Sequence, residues 1–389
     1  MKKKTVCVFT GTRAEYGLLR PLMRLIRADA GLRLRVIAAG MHLSPEFGNT
    51  YREIIRDGFR IDHRVRLPLG DDSPLGTCRA AAAALEGVGS GYRKLRPDAV
   101  VILGDRYEAL SAAIAASFMR IPIVHLHGGE STFGLIDEAI RHSITKMSWL
   151  HFTSTEKYRR RVIQLGENPG TVFNFGAIGL DNVYSMEFCS KDELSRLLGF
   201  DLSGKVAAVT FHPVTLDREP PSRQTSALLK ALDSFPELKL VFTMPNADAG
   251  NAAVTWSIKK YAARNPLRAR CFQSLGQLRY LSLLKNADIV VGNSSSGIIE
   301  APSFHIPTVN VGNRQKGRVQ GSSVINCPPA PASIASAIRK GLSPVFLRRC
   351  RSAGNPYGRG NTAPRILSVL KGFLKKTPDL EKKFLDIRF

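Results

Sequence analysis

The sequence predicts an α/β fold of two Rossmann-like, doubly wound domains, and three observations lead there. Short apolar runs alternate with amphipathic stretches from one end of the chain to the other, the pattern of strands and helices in a parallel sheet. Several of these runs stop at glycine-containing polar loops: Gly11-Thr12-Arg13, Gly104-Asp105-Arg106, Gly128-Gly129-Glu130 and Gly292-Asn293-Ser294. A length of 389 residues suits two domains, each with its own core.

Lys4–Thr10 reads as the first strand, Thr5-Val6-Cys7-Val8-Phe9 being apolar and β-branched. Residues 16–28 read as a helix, because Leu18, Leu19, Leu22, Leu25 and Ile26 recur at helical spacing. Residues 34–39, Ala99–Leu103 and 123–127 read as further strands, 137–149 as a helix and 151–153 as the start of another strand. The charged stretch 184–200 reads as helical and marks a break. A second series follows, with strands at 206–210, 238–244, 270–272, 289–291 and Thr308–Val311. Helices at 364–374 and 379–385, beyond the loop 355–361, are expected to return to the first domain. The domains are thus 1–185 with 365–389, and 186–364. Two such sheets facing a central cleft would place ligands at the C-terminal ends of their strands.

Composition narrows the function. The chain is 44% apolar and 23% charged, as in ordinary globular proteins. No apolar run approaches the roughly 20 residues of a membrane span, so no membrane partner is expected. Met1-Lys2-Lys3-Lys4 precedes an apolar stretch too short for a signal peptide and cut off by Gly11-Thr12-Arg13, which points to the cytoplasm. Six cysteines at 7, 78, 189, 271, 327 and 350 form no C-x-x-C pair and have no histidine at ligand spacing, so reduced thiols and no metal are expected. The net charge of +24 suggests nucleic acid. Yet Arg159-Arg160-Arg161, Lys259-Lys260 and Arg348-Arg349 are dispersed, without interleaved aromatics or a recognisable nucleic-acid module. A solvated surface is the better reading, with no nucleic-acid partner; some of the excess charge would draw in an anionic substrate.

The loops after the strands carry the chemistry. In Gly292-Asn293-Ser294-Ser295-Ser296-Gly297, hydroxyls and backbone N–H groups at a helix start form a site for a diphosphate, with Glu300 one turn on at a distance suited to a ribose diol. Arg13 reads equally as a phosphate contact or a solvated residue beside a helix cap. Asp105 reads equally as a helix cap or an acid–base group, and Arg106 as its phosphate-binding neighbour or as the partner of a nearby carboxylate. His125 and His127 alternate along a strand, so they point apart and do not share a metal. Asp137 has a strong claim as a helix N-cap. The density of Asp105, His127, Glu130 and Asp137 nevertheless suits proton transfer. In the second domain His212 follows a strand directly, Asn246 reads as a base or sugar contact or as a turn residue, and Arg314 and Arg318 add cations.

With these motifs in view, the chain resembles the UDP-N-acetylglucosamine 2-epimerases along nearly its whole length, and more narrowly the hydrolysing branch of sialic and legionaminic acid synthesis. The resemblance rests on Thr10-Gly11-Thr12-Arg13-Ala14-Glu15-Tyr16-Gly17, Gly40-Met41-His42-Leu43-Ser44, Gly104-Asp105-Arg106, His125-Leu126-His127-Gly128-Gly129-Glu130, Ile136-Asp137-Glu138, Arg141-His142-Ser143-Ile144-Thr145-Lys146, the Met244–Gly250 loop with Asn246, the serine turn and Asn355-Pro356-Tyr357-Gly358. It implies a two-domain glycosyltransferase-like (GT-B-like) fold, no metal and no cofactor, a UDP-sugar substrate, and a homodimer or homotetramer. It also implies a reaction: UDP is eliminated from C1 with loss of the C2 proton, and water adds to the resulting 2-acetamidoglycal.

Asp105 and Asp137 match the acid–base carboxylates of the family. Relatives often carry a further Glu where this chain has His127, so that role falls to His127 or to Glu130; we place His127 in the site and give Glu130 a share of the acid–base work. Arg13, Arg106, His212, Ser294, Ser295 and Arg314 match diphosphate-binding positions, with Ser296 and Gly297 completing the turn. Glu300 matches the ribose-binding carboxylate, Asn246 and Leu275 match positions near the uracil or ribose, His42 matches a histidine near the sugar, and Gly17 stands where some relatives have a serine. Two other readings compete: a retaining glycosyltransferase of the same fold, and a basic nucleic-acid-binding protein. The sugar, and a UDP or GDP carrier, stay open at this stage.

Overall fold

The computed structural model describes residues 3–214, 216–217, 219–246, 248, 250–376 and 380–386. The chain divides into two compact units: residues 1–130, 136–184 and 357–389, and residues 131–135 and 185–356. The return to the first unit thus falls at Tyr357, earlier than the expected 365. Residues 131–135, inside the first unit by sequence, belong to the second.

The first unit holds a seven-stranded sheet in the order β3-β2-β1-β4-β5-β6-β7. Its strands are β1 (Lys4–Thr10), β2 (Leu32–Ala39), β3 (His63–Val65), β4 (Ala99–Leu103), β5 (Ile123–Leu126), β6 (Leu150–Thr153) and β7 (Val172–Asn174). Every pairing is parallel. Side chains alternate across the sheet, and both faces are covered, as all-parallel sheets require. Val6 and Val8 of β1 pack with Leu19, Leu22 and Ile26 of α1 (Arg13–Ala28). Cys7 and Phe9 face the other way, towards Ala112 and Ala116 of α2 (Tyr107–Phe118).

The second unit holds a six-stranded sheet in the order β10-β9-β8-β11-β12-β13. Its strands are β8 (Lys205–Thr210), β9 (Leu238–Thr243), β10 (Ala269–Phe272), β11 (Ile289–Gly292), β12 (Thr308–Val311) and β13 (Val324–Cys327), again all parallel. Its core gathers Val209, Leu240, Phe242, Val291 and Val309 from the sheet and Leu228, Leu232 and Ile334 from helices.

Strand order reverses between β1 and β4 in one sheet and between β8 and β11 in the other. At such switch points adjacent loops diverge above the C-terminal strand ends and leave a crevice for ligands. The loops beginning at Gly11 and Gly104 flank the first point; those beginning at Phe211 and Asn293 flank the second.

Several expectations are corrected. The first helix begins at Arg13, not 16, because Thr12 and Glu15 form a reciprocal capping box. The strand expected over 123–127 ends at Leu126, since His127 takes φ +66°. The helix expected over 184–200 is two helices, Leu180–Ser185 and Lys191–Leu198, the second started by the Ser190–Glu193 capping box. Position 379 lies outside the described residues, and 380–386 are not helical. Their contacts run to the rest of the unit instead: Leu385 N–H donates to Gly166 O at 3.0 Å, and Lys382 Nζ to Lys146 O at 2.7 Å. The strands β3, β7 and β13 are short and partly exposed and carried no clear apolar signal. No helix among the described residues is long and apolar enough to cross a membrane.

Gly292 shows how tightly the second switch point is built. Its φ is +136°, and a Cβ there would lie 1.9 Å from Thr210 O. Gly292→Ala is expected to cost more than about 2 kcal/mol of stability, read from urea denaturation. A loss under about 0.5 kcal/mol, the scale of ordinary surface substitutions, would contradict this packing.

Candidate active site

At the first switch point Gly104 turns with φ +82° and presents Asp105 just ahead of α2. Asp105 is not the helix cap: that position belongs to Arg106. Its carboxylate is instead held by Arg141, with Nε at 2.9 Å and Nη2 in close contact with the same oxygen. Arg141 is fully buried in α3 (Asp137–Met147), and its Nη1 donates to Glu130 O and to Glu138 Oε2, each at 2.8 Å. A buried guanidinium needs such partners, and its planar fork fixes where they stand. Asp137 is the first residue of α3, behind Ile136 as cap, so its N-cap reading is corrected. It lies four residues before Arg141 and hence on the same helix face. Arg141 thereby links Asp105, the Glu130 backbone and the Asp137 helix. The motif Arg141-His142-Ser143 carries no local sign of this part.

His127 and Glu130 form one unit. Ile178 N–H donates to His127 Nε2 at 3.4 Å, which assigns the proton to Nδ1, 3.1 Å from Glu130 Oε1. Ser154 Oγ donates to the same oxygen at 2.7 Å, and both residues are buried. His42 is fully enclosed: Nε2 meets Thr10 Oγ1 at 2.9 Å and Nδ1 meets Thr50 Oγ1 at 2.8 Å. Burial pushes its pKa down to about 3, so the ring is neutral. It braces the end of β1 and offers no open nitrogen to a sugar. Gly17 sits in α1, where its carbonyl accepts from Asn182 Nδ2 at 3.0 Å.

Arg13 opens α1 and is partly exposed. Arg106 pairs through Nε and Nη2 with both oxygens of Glu108, at 3.2 and 3.3 Å. Glu15, nearby, accepts from Gly11 N–H at 2.7 Å. Burial, then repulsion from Glu108, pushes Glu15 up to about 7, while Arg106 and the Gly11 and Thr12 amides pull the other way.

In the second unit the serine turn is organised by Asn293, another residue that sequence reasoning did not single out. Its Oδ1 accepts from His212 N–H at 2.7 Å, and its Nδ2 donates to His212 O at 2.8 Å. Its own carbonyl accepts from Gln315 Nε2 at 2.7 Å and Arg314 Nη1 at 3.3 Å. His212 Nδ1 accepts from Asn246 N–H at 3.4 Å, leaving the proton on Nε2. The turn therefore gathers His212, Asn246, Arg314 and Ser294–Ser296.

The helix behind the turn spans only Ser296–Ile299, then passes into a 3-10 turn. Its dipole is correspondingly short, which corrects the expected helix contribution. Ser296 Oγ is buried with no hydrogen-bond partner among the described residues. Gly297 is packed against Thr308, where a Cβ would lie 2.7 Å from Cγ2. Glu300 is buried at the end of the short helix. Leu275 is 1% exposed and caps the following helix, so only its backbone can meet a nucleotide.

The raised Glu15 carboxyl has a consequence for stability. An acid whose folded pKa rises from 4.5 to about 7 is charged more readily when unfolded, so stability falls as pH climbs through that window. Glu15→Gln is expected to gain on the wild type by more than about 1 kcal/mol between pH 5 and pH 8, read from urea denaturation at both values. An unchanged difference would show that Glu15 titrates normally.

A family model described as UDP-N-acetylglucosamine 2-epimerase matches residues 24–371. The chain is 43% identical to the GDP/UDP-N,N'-diacetylbacillosamine 2-epimerase (hydrolyzing) of Campylobacter jejuni over 84% of this chain and 85% of that one. It is 39% identical to polysialic acid biosynthesis protein P7 of Escherichia coli, over 99% and 98% of the two chains. It is 35% identical to the UDP-N,N'-diacetylbacillosamine 2-epimerase (hydrolyzing) of Legionella pneumophila, over 95% and 96%. In fold it is similar to the Neisseria meningitidis UDP-GlcNAc 2-epimerase solved with UDP-GlcNAc, with a TM-score of 0.81, 18% identity, and 95% and 100% of the chains covered. The family match over most of the sequence and these relatives agree with the loops described above, and the chain belongs to the UDP-N-acetylglucosamine 2-epimerase family.

Proposed function

We propose that this hydrolysing 2-epimerase takes a UDP-linked N-acetylhexosamine with a second acetamido group, of the N,N'-diacetylbacillosamine type, and releases UDP and the free 2-epimer. Two of the relatives above carry that substrate in their names. UDP-GlcNAc, named for a Neisseria meningitidis relative at 31% identity, is the second candidate. The enzyme acts in the cytoplasm as a homodimer or homotetramer.

The observation that carries the mechanism is the set of partners around Arg141. Asp105 and the Glu130 backbone are fixed by one buried guanidinium, and Asp137 starts the same helix. The C2 proton is weakly acidic, so UDP departure from C1 leads and the ring gains positive charge. One of these carboxylates then takes the C2 proton, giving the 2-acetamidoglycal. A second group returns a proton to the opposite face of C2 while water adds at C1. Glu130, hydrogen-bonded by His127 and Ser154, takes the place of the missing family Glu, and His127 acts through it. The serine turn, His212 and Arg314 hold the departing diphosphate, with Arg13 and Arg106 adding positive charge; Glu300 and Asn246 hold the nucleoside.

Incubation of each candidate UDP- and GDP-linked sugar in deuterated water, followed by mass spectrometry, tests the reading. Deuterium at C2 of the released sugar, with UDP formed in the absence of any acceptor, is expected; UDP release without deuterium would point to simple hydrolysis or to the glycosyltransferase reading. Asp105→Asn should lower kcat by at least roughly 100-fold with UDP affinity near normal. Unchanged turnover would remove Asp105 from the chemistry. Glu300→Ala should mainly weaken UDP binding, and wild-type affinity would contradict its assignment.

A further inference from the structure

The segment joining Glu130 to Asp137 is part of the second unit. Phe133 N–H donates to Lys316 O at 3.1 Å, and Gly134 O accepts from Leu216 N–H at 3.2 Å. Ser131, Thr132 and Leu135 are buried. The segment lies on the bare Cα of Gly317, which has φ +97°; a Cβ there would come within 2.9 Å of Ser131 Cβ and 3.0 Å of the Phe133 ring. Gly134 is also closely approached, since a Cβ there would be 3.2 Å from Asn313 O.

The loop beneath this segment is the one that reaches the serine turn. Arg314 and Gln315 both donate to Asn293 O, and Lys316 N–H closes back on Asn313 O at 2.9 Å. A short series of hydrogen bonds and close contacts therefore runs from Asn293 through residues 313–317 to residues 131–134. The chain itself completes the path, since Glu130 precedes the segment and Asp137 follows it.

We propose that residues 131–135 are a coupling segment through which nucleotide at the serine turn sets the positions of Glu130 and Asp137. The proposal rests on the reading of that turn as the diphosphate site. An anion held there draws on Arg314, and the loop that carries Arg314 is the one on which the segment lies. Occupied, the loop holds the segment in one register; vacant, it leaves the segment and its two flanking carboxylates less restrained. The two flanking carboxylates are then held most firmly when the leaving group is in place, a use of binding energy in catalysis rather than in affinity.

Hydrogen–deuterium exchange of the wild-type chain with and without UDP, together with kinetics of Gly317→Ala, tests this. UDP should slow exchange in both the serine turn and residues 131–135. Gly317→Ala should lower kcat by roughly 10- to 100-fold through displacement of the acid–base groups, with the UDP Kd changed less than about threefold. Phe133→Pro, which deletes the N–H that bonds Lys316 at an exposed side-chain position, should give the same split and decides the matter if the first variant does not fold. Protection of the serine turn alone, or wild-type kcat in a variant that binds UDP, would overturn the coupling and leave the nucleotide site standing. Protection of neither segment would overturn both.

Discussion

The buried guanidinium of Arg141 is the constraint on which the first half of the site depends. A permanent cation with no exposure must be surrounded by acceptors, and leaving it unpaired is far more costly than any one of its bonds is favourable. Its acceptors are Asp105, Glu138 and the carbonyl of Glu130. Three separate segments, after β4, after β5 and at the start of α3, are thus tied to one planar group. In the proposed reaction a weakly acidic C–H needs its base at a defined place, and this fork would hold Asp105 there.

Asn293 does the corresponding work in the second unit. One amide clamps the backbone of His212 on both sides, while the same residue's carbonyl receives Arg314 and Gln315. The serine turn is therefore pre-formed by side-chain bonds rather than by a long helix, and its glycines keep the backbone close to β8 and β12. Both hubs stand at switch points, where parallel strands of reversed order leave their loops apart. Fold and site follow from the same topology.

Much of this was legible from residue order. Apolar runs marked the longer strands, and the polar loops at their ends marked the switch points, because period and punctuation are local properties. What was hidden depended on contacts far apart in sequence. Arg141 lies 36 positions from Asp105, and no local pattern shows that the two meet. His42 sits in a family motif, yet two threonines enclose it, and neither enclosure nor its neutral state has a sequence signature. His127 adopts a positive φ that ended its strand one residue early and turned its ring towards Glu130. The helix after the serine turn is only four residues long because the backbone tightens to a 3-10 turn over Ala301–Phe304, and no local pattern shows where that change falls.

If Arg141 and Asp105 act as one unit in turnover, a kinetic double-mutant cycle will reveal their coupling. We would determine kcat for Asp105→Asn, Arg141→Lys and the double variant, with UDP affinity as the check on folding. The double variant should be little slower than the worse single one, because each change disables the same carboxylate. Losses that multiply would show two independent contributions and contradict it.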